Sequence, residues 1–485
     1  MLFRSVRRLP SRAGDLARHA VLRGVETANV ETAKPTRQLH DQLTGRASEP
    51  PELAAASAGK RFREVARHAN VTDRIARRPR NPEVLPRTTR ARRFHPGAAV
   101  AVAIGVVVAA LLGAGASSTT RSDRSSSPDS ALPCVWRTAA TEDPHRHLYD
   151  RFNSVAAVSP RDAWAVGDYY TGHKGGPNGA LIERWNGRRW RLVGAPNLRG
   201  ATLWSVSASA PHDVWTVGQA DLGRQLVEHW DGERWRVVVP VPHTEGILNA
   251  VAARSRDDAW AVGARSLGAG GKTLIEHWDG RSWSVIPSPN PTVPHARRPY
   301  AVLRAVAALS PTNAWAVGYS GGVRSAVTKT LIEHWDGRRW MVVPSPNAGS
   351  AGGVTNDLLF SVSGARPNDV WAVGSWGTVP GGYGGKGDHA LVLHWNGRRW
   401  SRFANPVIGR RSLLSGIAAR AGRAWAVGER GLQPRQQTLI ERFDGTRWLI
   451  VPSPPGFSLN AVSALSGGPA WAVGANGRRP LATHC

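Results

Sequence analysis

Five features of this chain could do chemistry, judged by residue type and spacing. Gly382-Tyr383-Gly384-Gly385-Lys386-Gly387 fits the G-x-G-x-x-G spacing of a phosphate-cradling turn, and Gly318-Tyr319-Ser320-Gly321-Gly322 fits G-x-S-x-G. Neither has the strand–turn–helix setting that such chemistry needs, so neither is expected to hold a dinucleotide or a nucleophile. Glu-His pairs recur at Glu228-His229, Glu276-His277 and Glu333-His334. Neighbours on a strand point to opposite faces, so one pair cannot clamp one ion, and the pairs read as structural. In the expected hairpin register Glu276 lies across from Trp283, which suggests a repeated hydrogen bond between adjacent units. The fourth feature is the chain's two cysteines, Cys134 and Cys485. The fifth is a set of tyrosines and cations, described below, in long segments between strands.

The elements that must position these groups form a repeat. Asp/Asn-Ala/Val-Trp-Ala-Val-Gly, with some variation, places Trp at 164, 215, 260, 315, 371, 425 and 471, at intervals of 45 to 56 residues. A second motif, Leu-Ile-Glu-His-Trp-Asp-Gly-Arg-Arg-Trp in its fullest form, follows each of the first six. With Trp136, the two motifs hold 19 of the 21 tryptophans, leaving only Trp204 and Trp376 outside. Tryptophan is therefore mainly a packing residue here. Each unit reads as four strands. A small-residue run such as Leu248–Ala253 suits an inner strand, and a Ser-Pro-x-Asp turn leads into Ala-Trp-Ala-Val-Gly. Leu-Ile-Glu-His-Trp follows, and Asp-Gly or Asn-Gly predicts a two-residue type I′ hairpin into a strand that stops at Pro-Ser-Pro-Asn. Four antiparallel strands per roughly 50 residues describe a β-propeller blade.

Seven first motifs meet six complete second motifs. The last unit ends at Pro480-Leu481-Ala482-Thr483-His484-Cys485, which aligns with Leu-Ile-Glu-His-Trp and lacks a fourth strand. Cys134-Val135-Trp136-Arg137 can supply that strand from the other end of the array. The expected fold is thus an all-β, seven-bladed β-propeller over residues 132–485, its last blade closed by N- and C-terminal strands. A Cys134–Cys485 disulfide would stand where the hairpin turn is missing. A lipid-anchor reading of Leu132-Pro133-Cys134 fails, because charged spacer separates it from the apolar run.

Residues 1–96 carry 21 Lys and Arg against 9 Asp and Glu. They show one helix-like stretch near Lys60–Arg78 and read as a basic, mostly disordered cytoplasmic tail. Gly97 to Ala116 holds 20 residues without a charge, long enough to cross a bilayer and preceded by a basic flank. It reads as a transmembrane helix, or as the core of a signal peptide whose start lies downstream of Met1. Both export the remainder. Residues 117–131 are a Ser-rich linker. The formal charge of +28 comes mostly from 57 Arg against 6 Lys, a skew that codon bias alone can write, and an exported domain meets no nucleic acid.

The array resembles bacterial β-propeller proteins of the kelch and Asp-box kind. The kelch likeness is the repeat length with one Trp per second strand, without the kelch Gly-Gly pair. The Asp-box likeness is Asp279-Gly280-Arg281-Ser282-Trp283, which lacks the residue that family sets between Asp and Gly. The resemblance implies a fold shared by binding proteins, sialidase-like hydrolases and copper radical oxidases. The oxidases need a cysteine cross-linked to tyrosine, and ring closure uses both cysteines.

In a four-stranded meander the second–third and blade-crossing connections share one face. These are the long segments, and they hold all six tyrosines. Ligand-binding candidates on this face are Tyr169, Tyr170, His173, Arg297, Arg298, Tyr300, Tyr319, Trp376, Tyr383 and Lys386. Aromatic plates with cationic donors suit sugar rings, acidic polymers or a protein. The expected function is a non-catalytic, membrane-tethered extracellular binding module for a cell-wall glycan or another surface protein, with no cofactor and no metal. One alternative is a glycan-active hydrolase or lyase on the same face, drawing on carboxylates such as Asp168, Asp221, Asp357 and Asp388. The other is a transmembrane sensor signalling through the tail.

Overall fold

The computed structural model describes residues 134–485, apart from 143–148, 171–178, 197–199, 221–223, 239–245, 268–269, 294–297, 323–326, 349–355, 378–387, 407–408, 410 and 468. The basic tail, the apolar segment and the Ser-rich linker lie outside the described residues. So do His173, Arg297, Tyr383, Lys386 and Asp221. Among the described residues every regular element is a strand, and no helix is long and apolar enough to cross a membrane.

The strands fall into four-stranded antiparallel meanders. Ile247–Ser255, Asp258–Leu267, Gly270–Trp278 and Trp283–Val285 form one such sheet, in that order. Two meanders, covering Pro299–Val342 and Asn356–Arg402, are joined into one eight-stranded sheet by a single parallel bridge between Thr328 and Asn356. One sheet is assembled from both ends of the described chain. Arg137–Ala139 pairs with Arg479–His484, which pairs with Ala470–Asn476 and then Ser458–Ala464.

Why these residues form these strands is visible in the inner one. Its small side chains let neighbouring sheets approach, and serine hydroxyls bind across the gap. Ser154 accepts from the Val206 amide at 3.1 Å, Ser205 from Val251 at 3.1 Å, Ser361 from Ile417 at 3.2 Å and Ser463 from Ala157 at 3.1 Å. Each inner strand has a bulge one turn from the long-segment end, as at Leu248/Ala250. The carbonyl before that bulge presses on the glycine of Ala-Val-Gly. A Cβ on Gly263 would run into the carbonyl oxygen of Ile247, which is why only glycine fits there.

The tryptophans couple one sheet to the next. Trp164 lies 4.9 Å from Trp230 and 5.3 Å from Trp235, the latter edge-on. Trp215 stands in the same way against Trp278 and Trp283, Trp260 against Trp335 and Trp340, and Trp315 against Trp395 and Trp400. Such offset and edge-to-face pairs add to the area each ring buries. Trp425 meets Trp136 at 5.2 Å, with Cys485 packed into the same cluster where the other sheets place an aromatic ring. Cys134 and Cys485 stand at disulfide-bonding distance, with Cα atoms 5.1 Å apart.

Two expectations need correction. The Asp-Gly hairpin is not a two-residue turn. Trp278 pairs with Trp283, so Asp279–Ser282 form a four-residue loop, and Glu276 faces Val285 instead of Trp283. The Asp279 side chain accepts from the amides of Arg281 (2.9 Å) and Ser282 (2.8 Å), and Gly280 takes φ +92°. This side-chain cap replaces the bond of a tighter turn and shifts the register by two. The tyrosines also sit differently. Tyr149, Tyr169, Tyr170, Tyr300 and Tyr319 lie in strands, because the first, second and third strands continue pairing past the blade body. The second–third connection within Gly318–Thr330 is mostly strand, through Gly322 and again from Thr328.

Candidate functional site

The repeated Glu-His pairs are structural, by two separate devices. The histidine turns outward onto its own sheet's tryptophan, with His277 4.3 Å from Trp260 and His229 4.2 Å from Trp215. Its Nε2 meets the aspartate that opens the second strand, His277 to Asp258 at 2.9 Å and His394 to Asp369 at 3.0 Å. The His394 bond holds the Asp369 carboxyl below the usual range. Where arginine replaces histidine, Arg184 grips Asp162 with two nitrogens at 2.8 and 2.9 Å and covers Trp164 at 4.8 Å.

The glutamate turns inward. Glu183, Glu228, Glu276, Glu333 and Glu441 are all 0% exposed. Glu333 accepts from the Ser288 hydroxyl at 2.8 Å, a bond to the preceding sheet's exit segment. That exit is the Pro-Ser-Pro-Asn run, whose Ser288 and Asn290 also bind Thr273. The expected bond between units therefore exists for Glu333, with a different partner. Burial pushes the carboxyls of Glu228, Glu276 and Glu441 up to about 7 and that of Glu333 to about 8. Among the described residues no cluster of three His, Cys, Asp and Glu is placed to hold a metal.

Among the described residues a cleft of about 830 Å³ on the long-segment face has room for a ligand. It opens where the sheet made from both chain ends meets its two neighbours. Tyr149 and Tyr170, adjacent across the first two strands, line one side and Phe457 another; they are 58%, 37% and 37% exposed. Asp150, Asp168 and Glu429 contribute carboxylates, and Gln433, Gln436 and Asn460 contribute amides. Asp168 is held by Arg151 Nε at 3.0 Å and by Asn153 Nδ2 at 2.9 Å. Arg151 also reaches over Trp204, 5.9 Å from its ring centre. Glu429 pairs with Arg411 at 2.8 Å and accepts from Gln436 at 2.6 Å, while burial pushes its carboxyl up.

Of the residues proposed from sequence, Tyr170 and Asp168 line this cleft. Tyr169 packs over Gly179. Tyr300 and Tyr319 meet edge-to-face at 6.3 Å, and burial raises the Tyr319 hydroxyl's pKa. Arg298 is exposed. Trp376 has His389 at 4.8 Å and Arg402 at 5.0 Å, so its ring is already engaged. Asp357 is buried and accepts from the Ala348 amide at 2.9 Å. Asp150, Glu429, Phe457 and the amides carry no motif that marks them in the sequence. Their positions span more than 300 residues, and only exposed aromatics beside turn residues hinted at them.

These sheets, their order and the coupling of each to the next define an all-β, propeller-like repeat protein. No protein-family model and no curated protein sequence matches the chain. Among solved structures it is similar to YCF48 bound to D1 peptide, at 13% identity and TM-score 0.46, over 73% of this chain and 94% of that one. It is similar to the WD40 β-propeller domain of Doa1, at 13% identity and TM-score 0.43, over 72% and 97%. It is also similar to the GH74 xyloglucanase from Xanthomonas campestris, at 17% identity and TM-score 0.45, over 72% of this chain and 53% of that one. The fold assignment rests on the strand order and the closure described above.

Proposed function

We propose that this chain is a non-catalytic binding module, a seven-bladed propeller tethered on the outer face of a membrane, which takes its ligand in the long-segment cleft. Seven blades are supported by the seven Trp motifs, one per four-strand unit, and by inner-strand contacts that run on to Asn460 Nδ2 donating to the Phe152 carbonyl at 2.7 Å. Tethering and export are supported by the apolar Gly97–Ala116 run, its basic flank and the pairing of the chain's two cysteines. The kelch-like and Asp-box-like assignment rests on the repeat motifs alone.

The observation that carries the binding reading is three solvent-exposed aromatic rings around one cleft that also presents carboxylates and amides. Aromatic plates stack on sugar faces while carboxylates and amides bond hydroxyls, so a cell-wall glycan leads and another surface protein stands second. The test is calorimetric titration of the purified chain with a panel of cell-wall glycans at physiological salt. Binding that Tyr170→Ala and Phe457→Ala each weaken at least tenfold supports the reading. Glycan binding indifferent to both substitutions sinks it, and no glycan binding turns the search to a protein.

One observation favours a glycan-cleaving enzyme as the second reading. Asp168 and Glu429 line the same cleft in unlike surroundings, one ion-paired to Arg151 and one with its carboxyl raised by burial. Unlike carboxyls flanking a bound sugar are what acid–base glycoside cleavage requires. Product formation in the titrated samples, abolished by Glu429→Gln, decides for it. A sensor role through residues 1–96 is tested by deleting them and comparing phenotype.

A further inference from the structure

Opposite the cleft, the first–second turns and third–fourth hairpins share the other face. Three of those hairpins carry paired arginines at the same place, Arg188-Arg189, Arg338-Arg339 and Arg398-Arg399. Each hairpin is built alike. The side chain of Asn186, Asp336 or Asn396 accepts from both following arginine amides at 2.8 to 3.1 Å. Gly187, Gly337 and Gly397 take φ near +90° to allow it. The backbone under each arginine pair is therefore fixed; Asn186 and Asn396 bring no charge to it, and the Asp336 carboxylate bonds the arginine amides with no side-chain bond to a guanidinium. All six arginines are exposed. Among the described residues none of their side chains makes an ion pair or a hydrogen bond.

Further arginines of the short turns, Arg161, Arg256 and Arg366, are exposed on this face, and so are the acids Glu233, Asp257, Asp279, Asp336 and Asp444. The hairpin aspartates Asp231, Asp279, Asp336 and Asp444 are each held below the usual carboxylate range, the backbone amides they cap being the largest cause. Codon bias accounts for many arginines. It does not account for pairs recurring at one structural position, two of the three beside a neutral asparagine.

The same face is where the chain enters. Arg137 pairs with His484 and Ala139 with Ala482, which sets Cys134 beside Cys485 at the hairpin end of its sheet. Seventeen residues separate Cys134 from Ala116, the last of the apolar run. Fully extended they reach at most about 60 Å. We infer that the arginine-bearing short-turn face is a docking surface for anionic phospholipid headgroups, lying against the bilayer that the apolar segment enters. This rests on the tethered reading above. Hairpin tips repeated around a ring make a broad platform, and guanidinium forks match phosphate oxygens. Juxtamembrane cations gain from an anionic leaflet within a Debye length of it. The cleft, on the opposite face, then opens away from the membrane.

The full chain is placed in nanodiscs of phosphatidylcholine alone, and in discs with one third phosphatidylglycerol. Amide hydrogen exchange is read at residues 186–189, 336–339 and 396–399. In the anionic discs these amides are expected to exchange about tenfold more slowly at about 0.1 M salt, an effect screened away at about 1 M. The variant with all six arginines changed to Gln, matched to the parent in melting temperature, loses the difference. Equal exchange in both discs overturns the inference while leaving the tether intact. A chain that leaves the neutral discs yet is held by anionic ones through these arginines keeps the inference and rejects the tether. Protection by soluble polyphosphate but not by anionic discs also overturns it, assigning the face to a polymer.

Discussion

Trp471 lies 4.8 Å from Trp185, although 286 positions separate them in the chain. Trp190 completes the group, 5.1 Å from Trp471 and nearly perpendicular. The last second strand thus meets the first third–fourth hairpin through the same two-ring contact that Trp164, Trp215, Trp260, Trp315 and Trp371 make. The array closes on itself through one repeated aromatic contact, which gives the first and last sheets a partner on each side.

If each second-strand tryptophan couples two sheets, truncating one costs more than its own sheet's packing. Trp315→Ala, which vacates space against Trp395 and Trp400, is expected to lower stability by roughly 3–5 kcal/mol. Urea unfolding measures this. Trp204→Ala, outside the repeat positions, is expected to cost far less.

Closure at Cys134 and Cys485 joins residues 351 apart. Intact mass without reductant is expected to lie two hydrogens below the reduced mass. The double Cys→Ser variant is expected to unfold more easily, by up to roughly 6 kcal/mol in loop-entropy accounting and less where the open chain keeps structure. Thermal melting with and without reductant gives the comparison. An unchanged melting point means tryptophan packing alone closes the ring.

The buried glutamates set a pH dependence with a definite sign. Burial raises the Glu333 carboxyl from 4.5 to about 8, and three others to about 7. A proton held more tightly when folded stabilises fully below the unfolded value, and that stability is lost as pH rises through the folded value. This contribution therefore falls between about pH 4.5 and pH 8 and levels above. Glu333→Gln keeps an acceptor for Ser288 and removes the titration. It is expected to be more stable than the parent at pH 9, on the order of 1–3 kcal/mol, and nearly equal at pH 5. Denaturant titrations at both pH values test it.

Asp369 bonds both His394 and the Trp371 indole, the latter at 2.8 Å. Asp369→Ala leaves two partly buried donors without their acceptor and is expected to cost about 1–3 kcal/mol. Calorimetric melting is the measure. No loss would reduce the Asp–His–Trp arrangement to simple packing.

Much of this was legible from sequence for a physical reason. Strand alternation, turn residues and the period of tryptophan are local signals, and the repeat states them again and again. Trp136 and the aligned tail at Pro480–Cys485 even disclosed which sheet takes both chain ends, and so which cysteines meet. Hairpin register was less legible. Whether Asp279 caps amides or yields a two-residue turn depends on side-chain hydrogen bonds that the letters Asp-Gly do not specify.

The cleft was set by tertiary structure alone. Tyr149 and Tyr170, Glu429 and Gln436, and Phe457 and Arg478 come from three sheets whose meeting depends on ring closure. A pattern of period two tells which side chains share a strand face, and the repeat tells which sheets are neighbours. Neither tells how far a pair of strands continues beyond its sheet, because that depends on pairing partners brought there by the rest of the chain. The sequence by itself therefore determined the unit, the seven occurrences of its tryptophan motif and which two cysteines meet where the chain ends join. The three-dimensional packing decided which side chains face a common solvent-filled space, and with that, where a ligand can bind.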